Sequence, residues 1–211
     1  MRSAVLSPSR VRLDIGRRRV KTKGITRDAA IARTRRWLDV FIVGMDLCPF
    51  AKASLPTLVI EHVGEESTAE AFAAVVARET ARLASAPTDT FATTLVVLND
   101  VKWFDCKSWD AFMTVAVARA ETVCEGASGD AVVVVPFHPL ATWDDDELDL
   151  GHYTSRSPLP TVHLLRQSDI ERAEAKWYRQ EGRADIRERN VEYLRALGAD
   201  AVREAARRCE G

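Results

Sequence analysis

The chain has little of what most readily classifies a protein. Ten glycines and 8 prolines in 211 residues are too few for a collagen-like or low-complexity chain. Its four cysteines, Cys48, Cys106, Cys124 and Cys209, show no paired spacing and no C-x-x-C. A disulfide framework is therefore not expected, and an intracellular, reducing compartment is. No apolar run approaches the roughly 20 residues of a membrane-spanning helix, so no membrane span is expected. The N-terminus lacks the continuous apolar stretch of a secretory signal. Also missing are G-x-x-x-x-G-K-[ST], G-x-G-x-x-G and G-x-S-x-G, which disfavours the common nucleotide-hydrolysing and hydride-transferring enzymes.

What is present is a globular composition, 46% hydrophobic and 29% charged, with enough chain for one ordinary core. The net charge of −1 hides an asymmetry: residues 1–36 carry about +10 and the remainder about −11. Residues 1–27 read as a basic extension, either a tail or a transit peptide directing the chain to an organelle matrix such as the mitochondrion's. Without such targeting the expected place is the cytoplasm. Residues 28–211 read as a single domain. Its acidic character makes nucleic acid a poor partner.

Hydrophobic periodicity predicts a helix over about 28–43, capped by Thr26 and stopped by Gly44. Pro49 suits the opening of a short helical turn. Strands are expected at 57–63, 91–98 and 131–137, separated by helices that end near 84 and 124. Capping signals precede those helices at Ser67/Glu70 and Ser108. The third strand, AVVVVPF, is apolar enough to be central and buried on both faces. An aperiodic stretch of about 20 residues leads to a fourth strand at 161–166. A capping box at Ser168/Glu171 then opens a helix to about 178, and charged helices follow at 185–197 and 200–209. The expectation is an α/β (or α+β) fold: a mixed or largely parallel 4-stranded sheet with helices packed on it, an N-terminal helix and charged C-terminal helices.

The candidate site lies between His138 and Arg166. In open α/β sheets ligands bind beyond the carboxyl ends of strands, where His138 is expected. Arg156 and Arg166 suit a forked grip on phosphate or carboxylate. His138 and His163 are acid–base candidates, with Asp145 to orient one of them. Cys48, ahead of Pro49, is expected at a helix cap that would lower its thiol pKa, which makes a monothiol redox role an alternative. His138, His163, Cys48 and an aspartate lack any short metal-ligand spacing, so no metal is assigned. No cofactor is indicated by the residues.

Three segments resemble one family. Trp37 through Ala51 (WLDVFIVGMDLCPFA), Thr93–Leu98, and Phe137-His138-Pro139 with Tyr153 through Pro160 and His163 through Arg166 resemble the signatures of DUF1415, a domain of unknown function. The resemblance covers about residues 30–180. It implies that Cys48, His138, Arg156, His163 and Arg166 belong to the family motif, with Tyr153 and Ser155 beside them as ligand-binding candidates. The chain departs from the family pattern at His152 and Ser155, where the family has Asn, and at Leu159, where it has Tyr. Three functions follow as expectations. The first is binding of an anionic small molecule, with an enzyme using His acid–base groups as its extension. The second is a non-catalytic interaction or assembly protein, such as an accessory subunit docking a protein partner through the basic extension or the C-terminal helices. The third is the Cys48 redox protein.

Overall fold

A computed structural model describes residues 24–87, 89–143, 149–179 and 185–209. The basic extension through residue 23 and the acidic run that includes Asp145 lie outside the described residues. Four strands form one mixed sheet: β1 (Leu58–Val63), β2 (Thr93–Leu98), β3 (Val132–Phe137) and β4 (Thr161–Arg166), in the order β1-β2-β4-β3. β1 and β2 are parallel, while β4 runs antiparallel to both β2 and β3. Consequently β1, β2 and β3 point the same way, and β4 is inserted between them in reverse.

The alternation of side chains along the strands divides the interior into two cores. On one face lie α3 (Ala69–Ala84) and a long helical run made of α4 (Trp109–Ala111), a π-helical turn (Phe112–Val117) and α5 (Ala118–Glu125). Phe72, Val76, Leu83, Phe112 and Ala116 there meet Val96, Leu98, Val162 and Leu164 of the sheet. The other face is covered by α1 (Arg27–Trp37), which continues into a π-helical turn (Leu38–Val43) ended at Gly44. Beside it lie α2 (Ala51–Ser54), α7 (Ile186–Leu197) and α8 (Ala199–Arg208), the last two joined at Gly198 with φ +82°. Trp37, Phe41, Leu194 and Val202 close over Ile60, Leu95 and Val97. The remaining helix, α6 (Gln167–Tyr178), follows β4 directly.

Several local expectations shift. Thr68, not Ser67, caps α3, accepting from Ala71 N–H, and it is Thr68 that Glu70 reaches back to. Ser168 does not cap α6, because it lies inside the first turn and its hydroxyl donates across to Asp130. Thr26 and Ser108 cap their helices as the sequence indicates. The largest correction concerns β3. It is an edge strand, bonded to β4 on one side, and Val133 through Phe137 are each half-buried. Pro136 explains the position, since a residue without an N–H is tolerated at a sheet edge and not in the middle. The charged helices α7 and α8 do more than cover the surface, for Leu194 and Val202 are fully buried.

Candidate functional site

The strand directions decide which candidates can meet. His138 follows the carboxyl end of β3, beside Thr161 at the start of β4. Arg166 pairs with Val132 at the opposite end of the same ladder, roughly 16 Å away at ~3.3 Å per residue. His138 and Arg166 therefore do not share a site. Arg166 is also spent: at 1% exposure it forms a forked pair with both carboxylate oxygens of Asp169, at 3.0 and 3.1 Å. Its remaining donors go to the carbonyls of Ala86, Pro87 and Thr90. Asp169 in turn accepts from Ala92 N–H and pairs with Arg172, whose guanidinium stacks on Phe91. This is a buried clasp that fastens the 86–92 connection to the start of α6.

His138 is fully buried and uses both ring nitrogens. Nδ1 accepts from Leu140 N–H at 3.0 Å, which leaves Nε2–H to donate to Cys106 O at 3.0 Å. Phe112 stacks on the ring at 5.3 Å, and burial pushes its pKa down to about 4. A neutral imidazole with both nitrogens engaged holds the loop, its one ring proton committed to Cys106 O. His152 is a second loop fastener, bonded through Nε2 to Thr142 Oγ1 and accepting at Nδ1 from Trp143 N–H. His163 sits on the other face of the sheet, opposite Leu95 and Val135. Its Nε2 lies 2.6 Å from Thr93 Oγ1, whose proton is directed to Leu164 O, so Nε2–H donates. Burial lowers this imidazole also to about 4, and Nδ1 keeps its lone pair.

Cys48 lies in a third place, packed at the rim of the second core. The N–H groups of Phe50 and Ala51 do point toward its sulfur and Arg189 adds positive charge, but the residue at the cap of α2 is Phe50 and not Cys48. Burial outweighs them all, and the thiol pKa is raised. The expectation of a lowered thiol pKa is therefore reversed. Among the described residues no group of three or more His, Cys, Asp or Glu side chains gathers to hold a metal ion.

What the structure does bring together is the second half of the aperiodic stretch. A 3-10 helix (Leu150–Ser155), opened by Asp149, carries Tyr153 and Ser155 and ends at Arg156. His138 N–H donates to Ser155 O, tying this segment to the end of β3. The guanidinium of Arg156 stacks on the Tyr153 ring at 4.6 Å, and its Nε donates to Ala141 O at 3.3 Å. Its two terminal amino groups have no partner among the described residues. Trp143 Nε1 donates to Ser155 Oγ at 2.9 Å.

Ser155 and Thr154 also form one wall of an open cleft of about 630 Å³. Trp143 stands at its side, Glu174 and Tyr178 come from α6, and Asp185, Arg187 and Asn190 from the start of α7. Motif reading finds Ser155 and misses the rest, because the walls come from three separate segments with no shared spacing. The one available signal is Trp143, a large aromatic in a stretch without periodicity.

Residues 29–204 match a family model described as a protein of unknown function, DUF1415. Among curated proteins and among solved structures, nothing matches the chain. No helix among the described residues is long and apolar enough to cross a membrane.

Proposed function

Since the chain belongs to the DUF1415 family, for which no activity is named, we propose from its own geometry that the domain binds a small molecule bearing a phosphate or carboxylate. The site is the surface where the Leu150–Ser155 helix ends: Ser155 lines the cleft, and Arg156 is the next residue along the chain, beside the lining rather than in it. The observation that carries this reading is Arg156. Its guanidinium is fixed by a ring face and a backbone carbonyl, yet its two terminal amino groups have no partner among the described residues. An arginine held this way loses little further freedom when it meets an oxyanion, and the paired N–H groups match two oxygens at once. Arg187, whose charge also acts on Asp185, adds a second cation on the cleft itself. Ser155 supplies a hydroxyl, while that of Thr154 donates to Gly151 O, and about 630 Å³ is within the usual range for small-molecule sites. Arg166, His138 and Cys48 have no part in it.

The test is a titration of the protein with inorganic phosphate, sugar phosphates and dicarboxylates, read by calorimetry and by melting temperature. A ligand at 100 times its dissociation constant raises stability by about 2.7 kcal/mol. Binding that Arg156→Ala abolishes and Arg156→Lys only partly restores supports the reading. Binding that both variants retain in full refutes it.

A further inference from the structure

Two aromatic side chains line the cleft, and each is held by its polar atom while its ring stays open to solvent. Trp143 is 45% exposed and Tyr178 is 50% exposed. The Trp143 indole is fixed by its bond to Ser155 Oγ and by edge-on packing against Trp109, with centroids 5.1 Å apart and planes at 82°. The Tyr178 hydroxyl donates to Asp185 Oδ2 at 3.1 Å. Asp185 is itself immobilised, because its other oxygen caps α7 through Arg187 N–H and Glu188 N–H. An exposed ring without such bonds moves among rotamers, and ordering it opposes binding. Two rings already pinned present apolar faces at little further entropic cost. They belong to different elements, the segment after β3 and the end of α6, and they line one concavity. A simple phosphate or a small dicarboxylate would leave both faces in water. Glu174, an exposed carboxylate on the same cleft, adds an acceptor for an amino group.

Building on the anion reading, we propose that the ligand of this cleft is a heteroaromatic ring joined to an anionic group, the chemistry of a nucleoside monophosphate. The ring stacks on Trp143 and Tyr178, and the phosphate faces the arginine side of the cleft. The sequence has no glycine-rich phosphate motif, so recognition falls to stacking and to side chains, as in sites that hold single nucleotides by their π-faces.

The experiment is calorimetric titration of the full chain with AMP, ribose 5-phosphate and adenosine. AMP is expected to bind at least about tenfold more tightly than ribose 5-phosphate. Trp143→Ala and, separately, Tyr178→Ala should each weaken AMP by about tenfold and leave ribose 5-phosphate unchanged, since one stacked base contributes on the order of 1–3 kcal/mol. Tyr178→Ala keeps the test decisive if Trp143→Ala disturbs the Trp109 packing, which the melting temperature would show. Equal affinity for AMP and ribose 5-phosphate overturns the ring site, as does AMP affinity untouched by both substitutions. Failure of the anion reading looks different. Adenosine would then bind as well as AMP, Arg156→Ala would change neither, and Trp143→Ala would still weaken both.

Discussion

Arg156 and Arg166 carry the same side chain on one short stretch of sequence, and burial gives them opposite uses. Arg166 is enclosed with Asp169, so removing it leaves a buried carboxylate short of its main partner. Arg166→Ala is expected to cost about 3–5 kcal/mol in urea or guanidinium unfolding, whereas Arg156→Ala should leave the midpoint nearly unmoved. The two histidines pushed down to about 4 make stability depend on pH. Between about 4 and 6.5 the unfolded chain takes up a proton at each imidazole and the native chain does not. Their contribution is therefore complete above pH 6.5 and is lost as the pH falls, by roughly 1.4 kcal/mol per pH unit for each. Unfolding midpoints measured from pH 7.5 to 4.5 should show this slope, with His163→Gln reducing it; a slope unchanged in that variant would contradict the assignment. At this scale the sequence named candidates but could not show which nitrogens are free. A histidine satisfied by Leu140 N–H and Cys106 O is indistinguishable in one dimension from one that awaits a substrate.

Turns and caps are legible to within about two residues, and the misreadings have local causes. Ser67 and Thr68 are adjacent cap-forming residues, and the helix takes the one whose hydroxyl reaches Ala71 N–H. Thr68→Ala should cost about 1 kcal/mol and Ser67→Ala almost nothing, a difference measurable by thermal unfolding. Gly44 ends the π-helical turn after α1, and a Cβ there would fall 2.5 Å from Val40 O. Because that neighbour is backbone, Gly44→Ala must deform the turn that buries Phe41 and Ile42, and a clear loss of stability is expected, of about 1–3 kcal/mol. The strand β3 was misplaced because a continuous apolar run is shared by central strands and by half-buried edges. Pro136 was the residue that distinguished them.

Across the whole molecule, the α/β alternation made a sheet covered by helices legible, since each strand and each crossover helix has its own period. Strand order was not legible, because β4 returns antiparallel after an aperiodic stretch, and a chain that loops back for about 20 residues leaves no trace of where it re-enters. That reversal is what separates Arg166 from His138. The second core depends on the end of the chain, so Leu194→Ala is expected to cost about 2–5 kcal/mol in global unfolding despite lying in a charged helix.

The inserted strand also sets an order of events during synthesis. β1 and β2 can pair as soon as both have emerged, but the ladder partner of β3 is β4, which is made some 24 residues later. For that interval the segment VVVVPF is uncharged, apolar and unmatched, the composition that invites pairing with another nascent chain. Pro136 near its end breaks the run of donors that a neighbouring copy would need, so the residue that fits β3 to the sheet's edge also guards the chain before the sheet exists.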